Sequence, residues 1–304
     1  MTNALSIDLE EYFHPSELGI PPDTGRWCAM PSRVERQTQE VLALLNRHSV
    51  SATFFVLGWV AERHPGLVLQ IRSAGHEIAC HSYAHRLIYD LTPASFREDT
   101  KRAVAAIAEA CGSRPTAYRA PSYSITDRSF WALEILVECG FTRDSSIYPI
   151  AHDRYGISGF NRFAHTLRTP SGTIYEIPMA TTRLNKRRVA PVAGGGYLRL
   201  LPYRYTAAGL RRLNLQEQQS GCCYFHPWEI DPDVPRLTKS RISHWRTYCG
   251  ISGMRAKLER LLEDFQFSTL SAVFPLRPGD PSAFDAPSEP PRLATENRVQ
   301  PRYA

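Results

Sequence analysis

No stretch of the 304-residue chain approaches the roughly 20 consecutive apolar residues that a membrane-spanning helix requires. The opening residues, from Met1 to Asp8, lack a basic region and reach an acid at once, so a secretory signal is not expected. No C-x-x-C pair occurs. The seven cysteines form an odd set, which argues against a disulfide framework and for reduced, structural thiols in a reducing compartment. No internal repeat is present. The glycine run Gly194-Gly195-Gly196 lacks the strand and helix that a G-x-G-x-x-G nucleotide site needs, and reads as a flexible loop at a cleft. Acidic residues are missing from 183–212, which holds Arg183, Lys186, Arg187, Arg188, Arg199, Arg204, Arg211 and Arg212. Those cations outnumber the whole net charge of +6, so the rest of the chain is slightly acidic.

What is present describes a globular protein. An apolar share of 43% supports a sizeable core, and 22% charged residues exclude wholesale disorder. Residues 275–304 are rich in proline and poor in apolar residues; they cannot bury enough surface to offset chain ordering and read as a disordered tail. Residues 1–274 alternate short β-rich runs with helical periods. Strands are expected at 4–9, 52–57, 77–79, 116–119, 141–144, 174–178, 222–225 and 268–273. Helices are expected at 34–48, 65–73, 92–110, 126–137, 206–216 and 254–264, with Thr92-Pro93 and Thr126 as start signals and Gly75, Gly112 and Gly140 as stops. Repeated βα units call for an α/β fold with a parallel sheet, and seven or eight strands favour a distorted or incomplete (β/α) barrel. Function in such a fold gathers at the carboxyl ends of the strands.

Two chemical signals fall at those ends. His81-Ser82-Tyr83-Ala84-His85 places two imidazoles at i and i+4, which on a helical turn would face one metal; in isolation they read equally well as two loop histidines. Asp8-Leu9-Glu10 offers two carboxylates on one side of an extended chain, where a cation or proton must relieve their repulsion. Without the histidines, Asp8 to Glu11 would read as a solvated acidic turn. His226 follows the run Cys222-Cys223-Tyr224-Phe225, which delivers it to the same rim.

Ser6-Ile7-Asp8-Leu9-Glu10, Thr53-Phe54-Phe55-Val56-Leu57-Gly58, His81 to His85, Tyr118-Arg119-Ala120-Pro121-Ser122 and Tyr224-Phe225-His226-Pro227-Trp228-Glu229 occur in that order. Over about residues 4–274 they resemble the polysaccharide deacetylases with a NodB homology domain, carbohydrate esterase family 4. The wording around Asp8 to His14, Gly194 to Tyr203 and Phe225 to Asp231 is similar to the subgroup encoded with exosortase/PEP-CTERM exopolysaccharide systems. The resemblance implies that His81 and His85 bind a divalent metal, usually Zn2+. It assigns the first acid as base and the second as ligand. Asp8-Leu9-Glu10 departs from the family's adjacent aspartates, so Asp8 is assigned as base and Glu10 as third ligand with the two roles exchangeable. Arg119 would hold the base by bidentate hydrogen bonds, and the backbone N–H at Ser122, where the family has tyrosine, would face the oxyanion. Tyr123 follows as a substrate contact. His226 would be the general acid, with Asp144 as its carboxylate partner and Glu176 as the other candidate. Trp59, Trp131, Trp228 and Trp245 could stack on a sugar; Trp228 is the one chosen, Trp59 and Trp131 read as core, and Cys80 as a side chain turned away from the metal.

The implied reaction is hydrolysis of the N-acetyl amide of an N-acetylhexosamine in a bacterial exopolysaccharide or its lipid-linked precursor, in the cytoplasm or at the inner membrane face. Two histidines and one carboxylate also suit a non-haem iron oxygenase, although the usual histidine–x–acid arrangement is missing around His81. Hydrolysis of a small cyclic amide or ureide, and a catalytically silent glycan-binding module, are the remaining readings. The 183–212 segment reads as a basic insertion for an anionic glycan, a diphosphate-linked precursor or anionic lipid, or else as a solvated loop; nothing beside it reads as a nucleic-acid module.

Overall fold

A computed structural model describes residues 1–22, 24–185, 189–192, 194–237, 240–276 and 284–285. Its strands are β1 (Thr2–Leu9), β2 (Thr53–Val56), β3 (Glu77–Cys80), β4 (Ala117–Tyr118), β5 (Arg143–Asp144), β6 (His165–Thr169), β7 (Gly172–Glu176), β8 (Thr181–Arg183), β9 (Val189–Pro191), β10 (Cys222–Phe225), β11 (Gln266–Ser268) and β12 (Phe284–Asp285). The helices are α1 (Thr24–Cys28), α2 (Val34–Arg47), α3 (Gly58–Arg63), α4 (Pro65–Ser73), α5 (Pro93–Cys111), α6 (Trp131–Glu138), α7 (Gly195–Leu200), α8 (Tyr203–Leu215), α9 (Arg241–Tyr248), α10 (Ile251–Asp264) and α11 (Leu270–Val273).

One large sheet runs β10-β1-β2-β3-β4-β5-β7-β6-β12, with β11 added beside β1. The steps from β10 to β7 are all parallel, which aligns the carboxyl ends of seven strands on one rim. Among the described residues the strands do not close into a ring. The gap between β7 and β10 is crossed by extended chain instead: Ile177 donates its N–H to the Asp144 carbonyl (2.8 Å) and Ala180 to the Cys222 carbonyl (3.0 Å). The architecture is therefore the incomplete barrel expected of these βα repeats.

The pleat sorts side chains between two cores. Ile7, Leu9, Phe54 and Val56 join the large cluster under the helices, whereas Ala4, Phe55, Ala79, Ala117, Cys222 and Tyr224 form a smaller one on the opposite face. The three alanines leave room on that inner face for larger polar groups. Each fully buried Leu, Val or Phe contributes about 1.5–3 kcal/mol by leaving water, so these two layers hold the rim in place.

Local signals set most helix ends. Thr92 accepts from the Ser95 N–H and Ser95 reaches back to the Thr92 N–H, with Pro93 at the first helical position; this capping box starts α5, and Gly112 at φ 72° ends it. Thr126, by contrast, does not start a helix. It begins a turn closed by Ser129, and α6 starts at Trp131. The run 268–273 is not a strand: the Thr269 hydroxyl accepts from the Ala272 N–H and turns the chain into α11. Gly194–Gly196 is not a flexible loop either, because it opens α7 in close packing. A Cβ on Gly194 would sit 2.0 Å from the Tyr224 ring, and one on Gly195 would sit 2.5 Å from Glu229. Of the proline-rich tail, Phe284–Asp285 pairs in parallel with β6, and most of the remainder lies outside the described residues. No disulfide forms, and Cys80 is fully buried with its thiol pKa pushed up by burial.

Candidate metal centre and acid–base site

β1 carries Ser6 and Asp8 on the inner face, where Arg119 arrives from the end of β4. Arg119 is completely buried. Its Nη1 donates to Asp8 Oδ1 (2.7 Å) and Ser6 Oγ (2.8 Å), while Nε and Nη2 donate to the carbonyl (3.1 Å) and hydroxyl (3.0 Å) of Ser145. The guanidinium also lies 4.0 Å from the centre of the Phe55 ring. Burial works against its charge, but Asp8 outweighs that and holds the Arg119 pKa above its ordinary value. The contact with Asp8 is a single hydrogen bond rather than the expected bidentate pair, because the other donors are used on Ser6 and Ser145. Asp8 Oδ2 is thereby left facing His226 Nε2, 3.9 Å away.

Glu10, His81 and His85 each place one ligand atom within 4.8 Å of the others, and all three are buried. The two histidines do not share a helical turn. Their segment is a bend in which Ser82 (φ 65°) and His85 (φ 51°) take left-handed backbone, and that bend brings the rings to 5.4 Å. His81 Nδ1 lies 2.9 Å from the Arg119 carbonyl, which can only accept; Nδ1 therefore carries the proton and Nε2 keeps its lone pair. Burial lowers the His81 pKa to about 4, so the ring is neutral at neutral pH. Burial alone would raise the Glu10 pKa, yet His85, His226 and His81 together hold it far below the usual carboxylate range. Two imidazoles and an ionised carboxylate form a donor set that fits a divalent cation of the zinc type. The second acid, not the first, sits with the histidines.

The acids from Asp8 to Glu11 are all buried, so none belongs to a solvated turn. Glu11 turns the other way. Its carboxylate accepts from the Ser32 hydroxyl and the N–H groups of Arg33 (3.0 Å) and Val34 (3.3 Å), anchoring the N-terminus of α2. His14 is a neighbour that motif reading missed. Its Nδ1 accepts from the Glu11 N–H (3.1 Å), its ring stacks on His85 at 6.3 Å, and burial lowers its pKa to about 3. A neutral ring there braces His85 from behind. The run of aromatic residues after Glu11 was its only signal.

His226 ends β10. Nε2 lies 3.2 Å from Glu10 Oε1, and Nδ1 lies 3.0 Å from Glu229 Oε2, which also accepts from the His226 N–H (3.0 Å). Burial would lower the His226 pKa, but Glu10, Glu229 and Asp8 raise it to about 9. Glu229 in turn receives Arg199 Nε at 2.8 Å; against its burial, His226 and Arg199 hold its pKa at about 2. The carboxylate partner is therefore Glu229, neither Asp144 nor Glu176. A choice by strand order overlooked the acid three residues along the chain, where His-Pro-Trp-Glu forms a capping box. Asp144 and Glu176 are buried beside each other under the Ser145–Ile147 turn. Ser146 Oγ donates to Asp144 (2.5 Å) and the Ile147 N–H to Glu176 (3.1 Å). Burial pushes both upward, Asp144 to about 6 and Glu176 well above the carboxylate range, as for two carboxyls sharing one proton.

The open side of this cluster is a cavity of about 240 Å³ lined by Asp8, Glu10, His81, His85, Ser122, Tyr123, Tyr155, Tyr197, His226 and Trp245, among others. The His226 side chain keeps 17% of its surface exposed there. Ser122 and Tyr123 are both left-handed (φ 51° and 54°), which turns their backbone at the cavity wall; the Ser122 hydroxyl meets that of Ser16 at 2.9 Å. Trp228 is only 3% exposed and stacks on the His226 imidazole at 5.2 Å. It backs that imidazole, and the tryptophan exposed at the mouth is Trp245. Three described cations of the basic 183–212 segment are paired. Arg199 is buried against Glu229, Arg211 pairs with Asp264 and Arg212 with Glu217; Lys186, Arg187 and Arg188 lie outside the described residues. No helix among the described residues is long and apolar enough to cross a membrane.

Comparison with known proteins bears on the family and the fold. The family Polysaccharide deacetylase matches residues 23–143, and the family described as a domain of unknown function, DUF3473, matches residues 145–275. Residues 23–143 thus carry a polysaccharide deacetylase domain. A chitooligosaccharide deacetylase from Bradyrhizobium sp. is 35% identical over 33% of this chain and 43% of its own length. A peptidoglycan-N-acetylglucosamine deacetylase from Bacillus cereus is 32% identical over 32% of this chain and 36% of its own length. The chain thus spans less than half of the length of those relatives. In fold it is similar to a Mycobacterium smegmatis protein assigned to the polysaccharide deacetylases, with 19% identity, a TM-score of 0.58, and coverage of 90% of this chain and 88% of the other.

Proposed function

We propose that this chain is a metal-dependent hydrolase that removes the acetyl group from an N-acetylhexosamine unit of a bacterial exopolysaccharide or its lipid-linked precursor. The observation that carries the reading is the grouping of Glu10, His81 and His85 beside an Arg119-held Asp8, with His226 across the same cavity. Glu10, His81 and His85 would hold a divalent cation, zinc by donor chemistry, which would supply Lewis-acid polarisation of the amide carbonyl and a more acidic water. Asp8, oriented through Oδ1 by Arg119, accepts the proton of the attacking water at Oδ2. The backbone N–H of Ser122 faces the developing oxyanion, where a preorganised donor is worth most. His226, kept charged by Glu229, donates its proton to the leaving nitrogen, so a free amine and acetate depart. Tyr123 and the neighbouring aromatic rings bound the sugar.

The test is acetate release from chitooligosaccharides and native exopolysaccharide before and after chelation, with allantoin as the small-amide control. Activity on N-acetylated glycans that is lost on chelation and restored by zinc supports the reading. Turnover of allantoin with none of the glycans would sink it.

A further inference from the structure

The cavity mouth carries an unusual tryptophan. Trp27, Trp59 and Trp228 are 1%, 4% and 3% exposed, whereas Trp245 on α9 is 57% exposed and lines the cavity. An indole left in water beside a reactive centre forgoes the burial that the others obtain, and a flat apolar face at a saccharide site is suited to the C–H face of a sugar ring. Arg246 follows it, is exposed, lines the same cavity and has no ion-pair partner among the described residues. The sequence around it is one-sided: residues 234–258 hold Arg236, Lys239, Arg241, Arg246, Arg255 and Lys257 with no Asp or Glu. Two of these are spent, since Arg255 pairs with Glu40 and Lys257 donates to the carbonyls of Leu198, Arg199 and Leu201. Arg246 remains as a cation at the mouth.

The helix is anchored. Ser243 Oγ donates to the Glu17 carbonyl, and Tyr248 Oη accepts from the Leu237 N–H (3.0 Å). Buried Arg199, which holds Glu229, also donates to the carbonyls of Arg246 (3.0 Å) and Cys249 (2.7 Å). One guanidinium therefore ties the mouth helix to the partner of His226.

We propose that Trp245 and Arg246 form a subsite for an anionic sugar unit, carrying a carboxylate or a phosphate, adjoining the residue to be deacetylated. The proposal deepens the deacetylase reading and rests on it. The substrate would span at least two units, with one ring on Trp245 and its anion paired to Arg246. An isolated exposed arginine is a weak ion-pair donor, but an anion held between it and a partly desolvating indole gains more.

The test compares wild type, W245A, R246E and R246K, all zinc-loaded and full-length, on three substrates: neutral chitotetraose, a tetrasaccharide alternating N-acetylglucosamine with glucuronate, and a diphosphate-linked N-acetylglucosamine. The kcat/KM ratio of acidic over neutral substrate should fall at least tenfold in R246E and stay within threefold of wild type in R246K. W245A should raise KM for the tetrasaccharides at least fivefold with kcat less affected. Added salt should lower the wild-type ratio. Preference for the uronate or for the diphosphate identifies the source of the anion. Calorimetric binding of the acidic tetrasaccharide to wild type and R246E keeps the subsite testable if no substrate turns over, an outcome that would reject the deacetylase reading alone. Equal ratios and equal binding in wild type and R246E, with unchanged thermal unfolding, would overturn the subsite. So would binding to anionic phosphatidylglycerol vesicles that R246E abolishes without any change toward saccharides.

Discussion

At the scale of single residues, the two acids of β1 differ by what surrounds them. Asp8 meets a guanidinium and Glu10 meets imidazoles, and this separates their chemistry although they are two positions apart. We expect D8N to lower kcat at least 10²-fold while zinc stoichiometry, read by elemental analysis, stays near one. H81A should lose the zinc as well as the activity. The sequence left the roles of Asp8 and Glu10 open because either could face a cation; the contact of Arg119 with Asp8 is why we propose Asp8 as the base. His226 brings a pH dependence. Its pKa of about 9 means that the protonated acid persists below that pH, so activity should fall as pH rises through about 9. The same shift adds stability that is complete below the unfolded value near 6.5 and disappears above about 9. E229Q removes one of the carboxylates that raise this pKa. The alkaline limb of the pH–rate profile should move down and kcat should fall about 10–100-fold, and an unmoved limb would refute the role given to Glu229.

At the scale of elements, α7 shows why glycine matters here. Its backbone runs so close to Tyr224 and Glu229 that a side chain at Gly194 or Gly195 would displace the group that supports His226. G195A should cost about 1–3 kcal/mol by overpacking and reduce activity together with stability, measured by thermal unfolding and acetate release. The composition of the glycine run is visible in the sequence, but its purpose is not, since a loop and a close approach use the same residue for different reasons. Strands are the most legible elements: the expected bounds 222–225 coincide with β10, all four residues of which are buried. Thr126 and the run 268–273 misled for one reason. Threonine serves caps, turns and strands alike, and only its hydrogen-bond partner distinguishes them.

At the scale of the whole molecule, the boundary between the two matched families does not divide the fold. β10, from the second region, pairs in parallel with β1, which lies ahead of the first, and delivers His226 to Glu10; Arg119 of the first region donates to Ser145 of the second. A fragment ending at residue 144 would expose the β1 edge and lack His226. We expect it to aggregate and to show no cooperative unfolding by calorimetry. The buried Asp144–Glu176 pair bears on global stability too. Both pKa values are raised over their unfolded values near 4, so the contribution is complete below about pH 4 and is lost as pH rises through about 6 and beyond. E176Q can donate its amide to Asp144 without titrating; relative to wild type, its melting temperature should decline less between pH 4 and 7.

The sequence by itself determined the βα repeat, the sheet strands that bury both faces, and the residues that meet at the rim, because periodicity and motif spacing act locally along the chain. Tertiary structure decided what each of those residues touches. Glu229 rather than Asp144 supports His226, Arg199 is withdrawn from the basic segment into a buried ion pair, and Trp245 rather than Trp228 stands at the mouth. Charge and aromaticity belong to a residue's composition. Pairing, burial and pKa depend on neighbours, some three positions away, as Glu229 on His226, and some brought from more than a hundred, as Arg119 on Asp8, which no local pattern encodes.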